Sequence, residues 1–309
     1  MKRTHRILSL ALLVALLLLL AGCARPVGPL LWKVTSPEGR TLHLFGSIHA
    51  AEETLYPLPS YVTDAFEQSG ALAVEIDLVA FESDLAAQLA FSAKLMYASG
   101  ETIEDEIGET LAEKARTVLR GVEDDLSLGV PLSMLNMFRP AMWISALESV
   151  SVKRAGLLPE LGLDAHFLKE AKAAGKEVLE VESIGEQTDM LVGFSAPLQA
   201  KMLESAMEVD KAAEDTKTLY SLWKTGNEKT LTAYLLAEDD NLSVPPEITA
   251  EYTEAMYTRR NVKMADAAKR YMSEGKNAFF IVGLAHMLGD GGVVDLLSSD
   301  GYTVEKLNA

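Results

Sequence analysis

Two stretches of this sequence, RTLHLFGSIH at 40–49 and NAFFIVGLAH at 277–286, run through apolar residues, break at a glycine and deliver a histidine three positions later. A chain with 21 glycines and five histidines would show about 0.3 such Gly-x-x-His runs by composition. Two of them, each directly after a strand-like run, single out His49 and His286, with Gly46 and Gly283 as the points where backbone could come close to a ligand. Imidazoles placed this way can hold a metal ion or move a proton. Carboxylates that could join them are Glu75, in ALAVEID, and Glu182, in EVLEVES; both are predicted to lie on strands, where an unpaired charge is costly to bury. Asp164 precedes His166 by two residues, at the start of an expected helix. Arg139 in FRPAMW and Arg260 in RRN are basic residues beside apolar helix faces, able to grip a carboxylate through two nitrogens.

The sequence contains no His-Glu-x-x-His, no Gly-x-Ser-x-Gly, no Walker loop and no dinucleotide fingerprint. Ordinary zincins, serine hydrolases and nucleotide-binding enzymes are therefore not expected. Two readings of the histidine and glutamate set remain at this point: a mononuclear metal site, and a general acid/base pair tuned by burial.

The elements that would position these residues follow a strand, helix, glycine, strand grammar. LLWKVTSPEGRTLHLFGSIH reads as a β-hairpin turning at Ser36-Pro37-Glu38-Gly39. A helix over 60–68, a stop at Gly70 and the strand ALAVEID follow; the strand NAFFIVG, the loop LAHMLGDGG, the helix VVDLLSSD, Gly301 and YTVEKL repeat the pattern at the other end. This predicts an α/β domain over 31–309 with a mostly parallel central sheet and βαβ units at both ends of the chain. Helical insertions are expected at about 81–155 and 185–275, covering the sheet and walling a cleft. In the first of them Leu85, Leu89, Ala93 and Met96 recur at helical spacing and predict a core-facing stripe. In a sheet of this type ligands bind beyond the carboxyl ends of the strands, where both Gly-x-x-His motifs fall.

The chain opens with Lys2, Arg3 and Arg6, then an apolar run from Ile7 to Ala21, which is short for a membrane span of about 20 residues. Residues 1–22 are expected to be a secretory signal peptide. Leu20-Ala21-Gly22-Cys23 resembles a lipoprotein cleavage box, so Cys23, the single cysteine, is expected to carry the lipid (palmitate among its acyl groups) and to begin a tether over 23–30. The expected location is the cell envelope, outside the cytoplasm, with the membrane reached through that lipid. A lone cysteine excludes an intramolecular disulfide and a cysteine metal cluster. The formal net charge of −17 repels polyanions and argues against nucleic-acid binding.

Taken in order, LHLFGSIH, YPLP, LAVEID, the Arg-Pro pair, GLDAHFLKEAKAAGKEVLEVESIGEQ, RRN and FFIVGLAHMLGDGGVVDLLSSDGYTVEKL resemble the TraB/GumN family from Trp32 to Leu307. That resemblance implies a divalent-metal-dependent protease or related hydrolase (Mn, Co or Zn) acting on a peptide or small molecule, akin to erythromycin esterase-like and ChaN-like folds; the alternatives are a metal-independent His/Glu esterase-like hydrolase and a non-catalytic binder that sequesters a peptide. It places His49 and His286 on the motif histidines and Glu75 on the family glutamate. Asp164, as a third metal ligand, and Glu182, Arg139 and Arg260, as catalytic residues, match further family positions. FRPAMW departs from the usual arrangement by displacing the tryptophan to Trp143, which weakens the case for Arg139.

Overall fold

The computed structural model describes residues 28–98, 100–126, 131–241 and 244–307; the expected signal peptide and Cys23 lie outside the described residues. Six strands, β1 (Leu31–Thr35), β2 (Thr41–Ser47), β3 (Ala71–Val74), β4 (Glu177–Glu180), β5 (Ala278–Gly283) and β6 (Thr303–Lys306), form one sheet in the order β4-β3-β5-β2-β1-β6. Pairs β4–β3, β3–β5 and β5–β2 are parallel, while β1 is antiparallel to both β2 and β6. Five strands therefore run one way and β1 alone is reversed, giving the α/β fold and mostly parallel sheet that the strand and helix alternation predicts. Gly39, at a φ of 81°, closes the β1–β2 hairpin by donating its N–H to the Ser36 carbonyl at 2.9 Å. The terminal βαβ units do not pair their own strands. β5, from the far end of the chain, inserts between β2 and β3, and β6 crosses β2 and β1 to reach the edge.

Helices cover both faces. On one, α1 (Ser60–Gln68) and α7 (Leu163–Ala174) bring Phe66 and Phe167 against Phe45 and Phe279, with ring centroids 4.8–5.9 Å apart. Complete burial of each such ring contributes about 1.5–3 kcal/mol. On the other, Phe280, one residue along β5 and so opposite in direction, meets Tyr271 of α13 (Arg259–Ser273). Between these lie α2 (Leu78–Ser83), α3 (Leu85–Leu95), α4 (Ile103–Ile107), α5 (Glu109–Gly121), α6 (Pro140–Arg154), α8 (Ile184–Val192), α9 (Ala196–Ala206), α10 (Val209–Thr225), α11 (Glu228–Asn241) and α12 (Pro246–Thr253); α14 (Leu284–Met287) and α15 (Val293–Ser299) end the order. A five-residue π segment, Glu254–Thr258, joins α12 to α13. Trp143 of α6 is fully buried in a second apolar cluster with Ile103, Leu119 and Leu147, its indole N–H donating to the Leu135 carbonyl.

Three local expectations change. Glu75 and Glu182 do not lie inside strands: β3 stops at Val74 and β4 at Glu180, so both glutamates stand just past the carboxyl ends. The Leu85, Leu89, Ala93 stripe does not face the core. Leu85 and Leu89 are 68% and 62% exposed, and α3 buries Leu95 instead. Finally, the segment after Gly283 is a single helical turn, Leu284–Met287, which carries His286.

Candidate active site at the carboxyl rim of the sheet

The parallel register of β2 and β5 sets Gly46 beside Val282 and Ser47 beside Gly283, so the two Gly-x-x-His motifs leave the sheet side by side. Gly46 is hemmed in: the Trp223 indole donates to its carbonyl at 2.8 Å, and an added β-carbon would come within 2.6 Å of Leu284 Cδ1. The loop carrying His49 is tied to the start of α7, where Leu163 N–H donates to the Ile48 carbonyl and Ala51 bridges Leu158. Gly162 belongs to this junction, because a β-carbon there would sit 2.2 Å from the His49 carbonyl oxygen.

Asp164, in the first turn of α7, is buried and accepts from His49 Nδ1 at 2.8 Å and from the Ser47 hydroxyl. The Asp164 charge raises the His49 pKa above the ordinary histidine range, against the opposing effect of burial; 67% of the imidazole side chain is solvent-accessible, which moderates that shift. Burial works against the Asp164 carboxylate, but His49 and Ser47 more than offset it and lower its pKa. The other histidine is held differently. The Asn261 side-chain N–H donates to the Gly291 carbonyl at 2.9 Å, which turns its oxygen toward His286 Nδ1 at 2.7 Å. Nδ1 of His286 must then carry the proton, leaving Nε2 as a lone pair. Burial lowers the His286 pKa, so this imidazole is neutral at pH 7.

The backbone ladder of β3 and β4 continues past both strands, with Val181 N–H on the Val74 carbonyl and Glu182 N–H on the Glu75 carbonyl, each at 2.9 Å. It sets the two glutamates side by side. Arg260, two residues into α13, joins them: Nε lies 3.0 Å from both Glu182 oxygens, and Nη2 lies 2.8 Å from Glu182 Oε2 and 2.6 Å from Glu75 Oε2. Gln187, in the first turn of α8, donates to Glu75 Oε2 at 3.2 Å and Glu182 Oε2 at 2.9 Å. Burial opposes the Glu182 charge, yet Arg260 holds its pKa below the usual glutamate range. The remaining Glu75 oxygen, Oε1, accepts from Gly283 N–H at 2.7 Å. A β-carbon placed on Gly283 would lie 3.3 Å from Glu75 Oε1, 3.4 Å from His49 Nε2 and 3.6 Å from His286 Cδ2, so three side chains converge where this glycine has none.

The structure thus brings together Gly46, His49, Glu75, Asp164, Glu182, Arg260, Gly283 and His286 at one rim. Arg139 is engaged elsewhere: its guanidinium lies 5.2 Å from the Tyr97 ring centroid and 3.9 Å from Glu106. Ser47, Gly162, Gln187 and Asn261 also build the site. Asn261 stands beside the singled-out Arg260 and Gly162 sits two residues before Asp164, but no local pattern marks Ser47 or Gln187.

Among the described residues, no three His, Cys, Asp or Glu side chains are grouped as around a metal ion. The donor chemistry nevertheless fits a divalent cation. Two imidazoles each have Nδ1 tied to an oxygen behind them and Nε2 left over, the outer-shell arrangement of metal-binding histidines, and a carboxylate stands beside them.

The sequence profile of the TraB/PrgY/gumN family matches residues 30–306. The chain is 23% identical over 266 residues to YbaP of Escherichia coli (strain K12), described as an uncharacterized protein, covering 85% of this chain and 90% of that one. It is 24% identical over 315 residues to the human metalloprotease TIKI1, covering 86% of this chain and 60% of TIKI1, and 23% identical over 309 residues to the metalloprotease TIKI2 of Xenopus tropicalis, covering 86% and 58%. No solved structure matches the chain.

Proposed function

The chain belongs to the TraB/PrgY/gumN family, and from that premise we propose that it is a hydrolase of peptide bonds that uses a divalent metal ion, anchored outside the cytoplasm through lipid on Cys23. The observation that carries the reading is the convergence of His49 Nε2, Glu75 Oε1 and His286 on Gly283. The likeness to the TIKI metalloproteases supports the reaction class and the metal.

His49 and His286 would hold the ion through Nε2, with Glu75 as the carboxylate beside them. Such an ion polarises a scissile carbonyl and makes water a nucleophile near neutral pH. Glu75 Oε1, which accepts one hydrogen bond from Gly283 N–H and has a second lone pair, would take the proton from the attacking water. Oε2 of the same carboxylate is held by Arg260 and Gln187 and Oε1 by the Gly283 N–H, which together fix the orientation of the group. Asp164 orients His49 and Asn261 orients His286, so Asp164 serves in this reading as a positioning residue rather than a third ligand. Glu182 balances Arg260, and Arg139 takes no part.

The test is metal content and cleavage of a mixed peptide library by the chain lacking residues 1–23, beside His49→Ala and His286→Ala. Stoichiometric metal and cleavage, both lost in either variant, are the expected outcome. Full cleavage by His49→Ala, or by protein stripped with chelator, would overturn the reading. A second reading rests on the His49–Asp164 pair, which resembles the acid/base dyads of metal-free hydrolases: ester turnover that survives chelation and fails in Asp164→Asn would favour it.

A further inference from the structure

The described chain starts at the site. Because β1 is the reversed strand, its first residue lies at the carboxyl ends of the other five: Leu31 pairs with Phe45, and Gly46 N–H donates to the Leu30 carbonyl at 3.3 Å. Leu30 is fully buried, and the Tyr61 hydroxyl donates to the Pro29 carbonyl at 2.7 Å, which fixes this segment at the rim. Gly28, the first described residue, therefore belongs to the same end of the sheet as His49. Five residue steps separate Gly28 from Cys23, at most about 18 Å of chain.

The rim also carries an apolar face. Helix α2 begins three residues after Glu75, and α3 packs on α8, which itself follows the carboxyl end of β4. Leu78 is 39%, Leu85 68% and Leu89 62% exposed, the last two one helical turn apart on α3. Because at most about 18 Å of chain separates Gly28 at this rim from Cys23, a bilayer holding lipid on Cys23 is the surface within reach of these leucines. We propose that the outward face of α2 and α3 rests on the bilayer anchored to Cys23, so that the His49–Glu75–His286 site opens toward the membrane and takes polypeptide segments lying close to it. The proposal rests on the anchor named above and is independent of which bond the site cleaves. Acyl chain and apolar face act as two membrane signals, and the net charge, −17 for the whole sequence and −20 once Lys2, Arg3 and Arg6 leave with residues 1–22, favours uncharged headgroups.

The test uses the lipidated chain beginning at Cys23, in phosphatidylcholine vesicles containing a headgroup-quencher lipid. Cys23 is the native chain's single cysteine, so an introduced cysteine is the one free thiol to label. Ser92→Cys reports from the α3 face; Glu274→Cys reports from the opposite rim, where the neighbouring Ser273 carbonyl meets Arg40 of the hairpin turn. The Ser92 label should be quenched several-fold more than the Glu274 label. Replacing Leu85 and Leu89 together by Glu, at exposed positions that leave the core intact, should bring it down to the Glu274 level. Equal quenching at the two sites, stronger quenching at Glu274, no change in the glutamate variant, or failure of the chain to float with vesicles would each overturn the proposal. Because no hydrolysis is read, that failure would leave the assigned reaction standing.

Discussion

Replacing Arg260 with Met tests whether the carboxyl-rim site is held by charge pairing. The side chains of Arg260, Glu75 and Glu182 are 11%, 12% and 5% exposed. Methionine would retain the packing volume but leave two carboxylates facing each other with only the Gln187 amide between them. Removing one partner of a buried pair costs about 3–5 kcal/mol. At about 2–4 °C per kcal/mol for a chain of this size, Tm should fall by about 6–20 °C. The loss should also depend on pH. In the native protein the lowered Glu182 pKa gives stability that is present above the unfolded glutamate value of about 4.3 and is lost as pH falls through the folded value. Without Arg260, burial, the largest influence on Glu182, is opposed chiefly by the Gln187 hydrogen bond, and two facing carboxylates favour taking up a proton, so the variant gains from protonation as pH falls. The gap between the two proteins should narrow between pH 7 and 4, and Glu182→Gln added to Arg260→Met should recover part of the loss. Thermal and urea unfolding followed by circular dichroism measure all three. A destabilisation below about 1 kcal/mol, or a gap that does not change with pH, would refute the argument.

Gly283→Ala should leave Tm nearly unchanged, because this glycine's φ of −50° suits alanine, yet abolish metal uptake and cleavage by placing a methyl among Glu75, His49 and His286; calorimetry and a cleavage assay separate the two effects. Asn261→Ala, which frees His286 Nδ1, should weaken metal binding by about 10–100-fold in a titration with Mn²⁺ or Zn²⁺, while far-ultraviolet dichroism stays native. His43, on β2 opposite Lys33, is buried with Nδ1 lacking a hydrogen-bond partner. Burial, helped by Lys33, lowers its pKa, so on unfolding it takes up a proton below about pH 6.5 and stability declines as pH drops. His43→Phe should flatten the urea-midpoint slope between pH 7 and 5; a slope equal to the native one would show that His43 does not titrate in this way.

The site was legible where local and global signals agree. Each Gly-x-x-His closes an apolar run, and the sheet needs only to be parallel for both histidines to reach one rim. The hairpin at Ser36–Gly39 and the stop at Gly301, whose φ is 86°, are local backbone chemistry and are readable for that reason. The order of strands was not. β5 enters between β2 and β3 through contacts more than two hundred residues apart, and nothing in either segment alone encodes its neighbour. Glu75 and Glu182 were found as charges in apolar surroundings, but their pairing through Arg260 and Gln187 is created by the β3–β4 register and the capping box Ser183–Glu186 that starts α8. The α3 stripe shows the opposite failure: helical spacing of leucines reports a face, not what covers it.

The π segment at Glu254–Thr258 has a consequence for how this site tolerates insertions and deletions. Such a segment is an α-helix that has absorbed surplus length into one wide turn, and here it precedes Arg260 by two residues. Each residue of an α-helix advances the facing by about 100°. Deleting one residue from Glu254–Thr258 would remove only that surplus and leave Arg260 and Asn261 facing as they do, but deleting a second would swing the two together, carrying the guanidinium away from Glu182 and the amide away from His286. Two functions on different sides of the rim would then fail at once through a change that touches neither residue. Length in that turn is as much a specification of the site as the identities of the histidines.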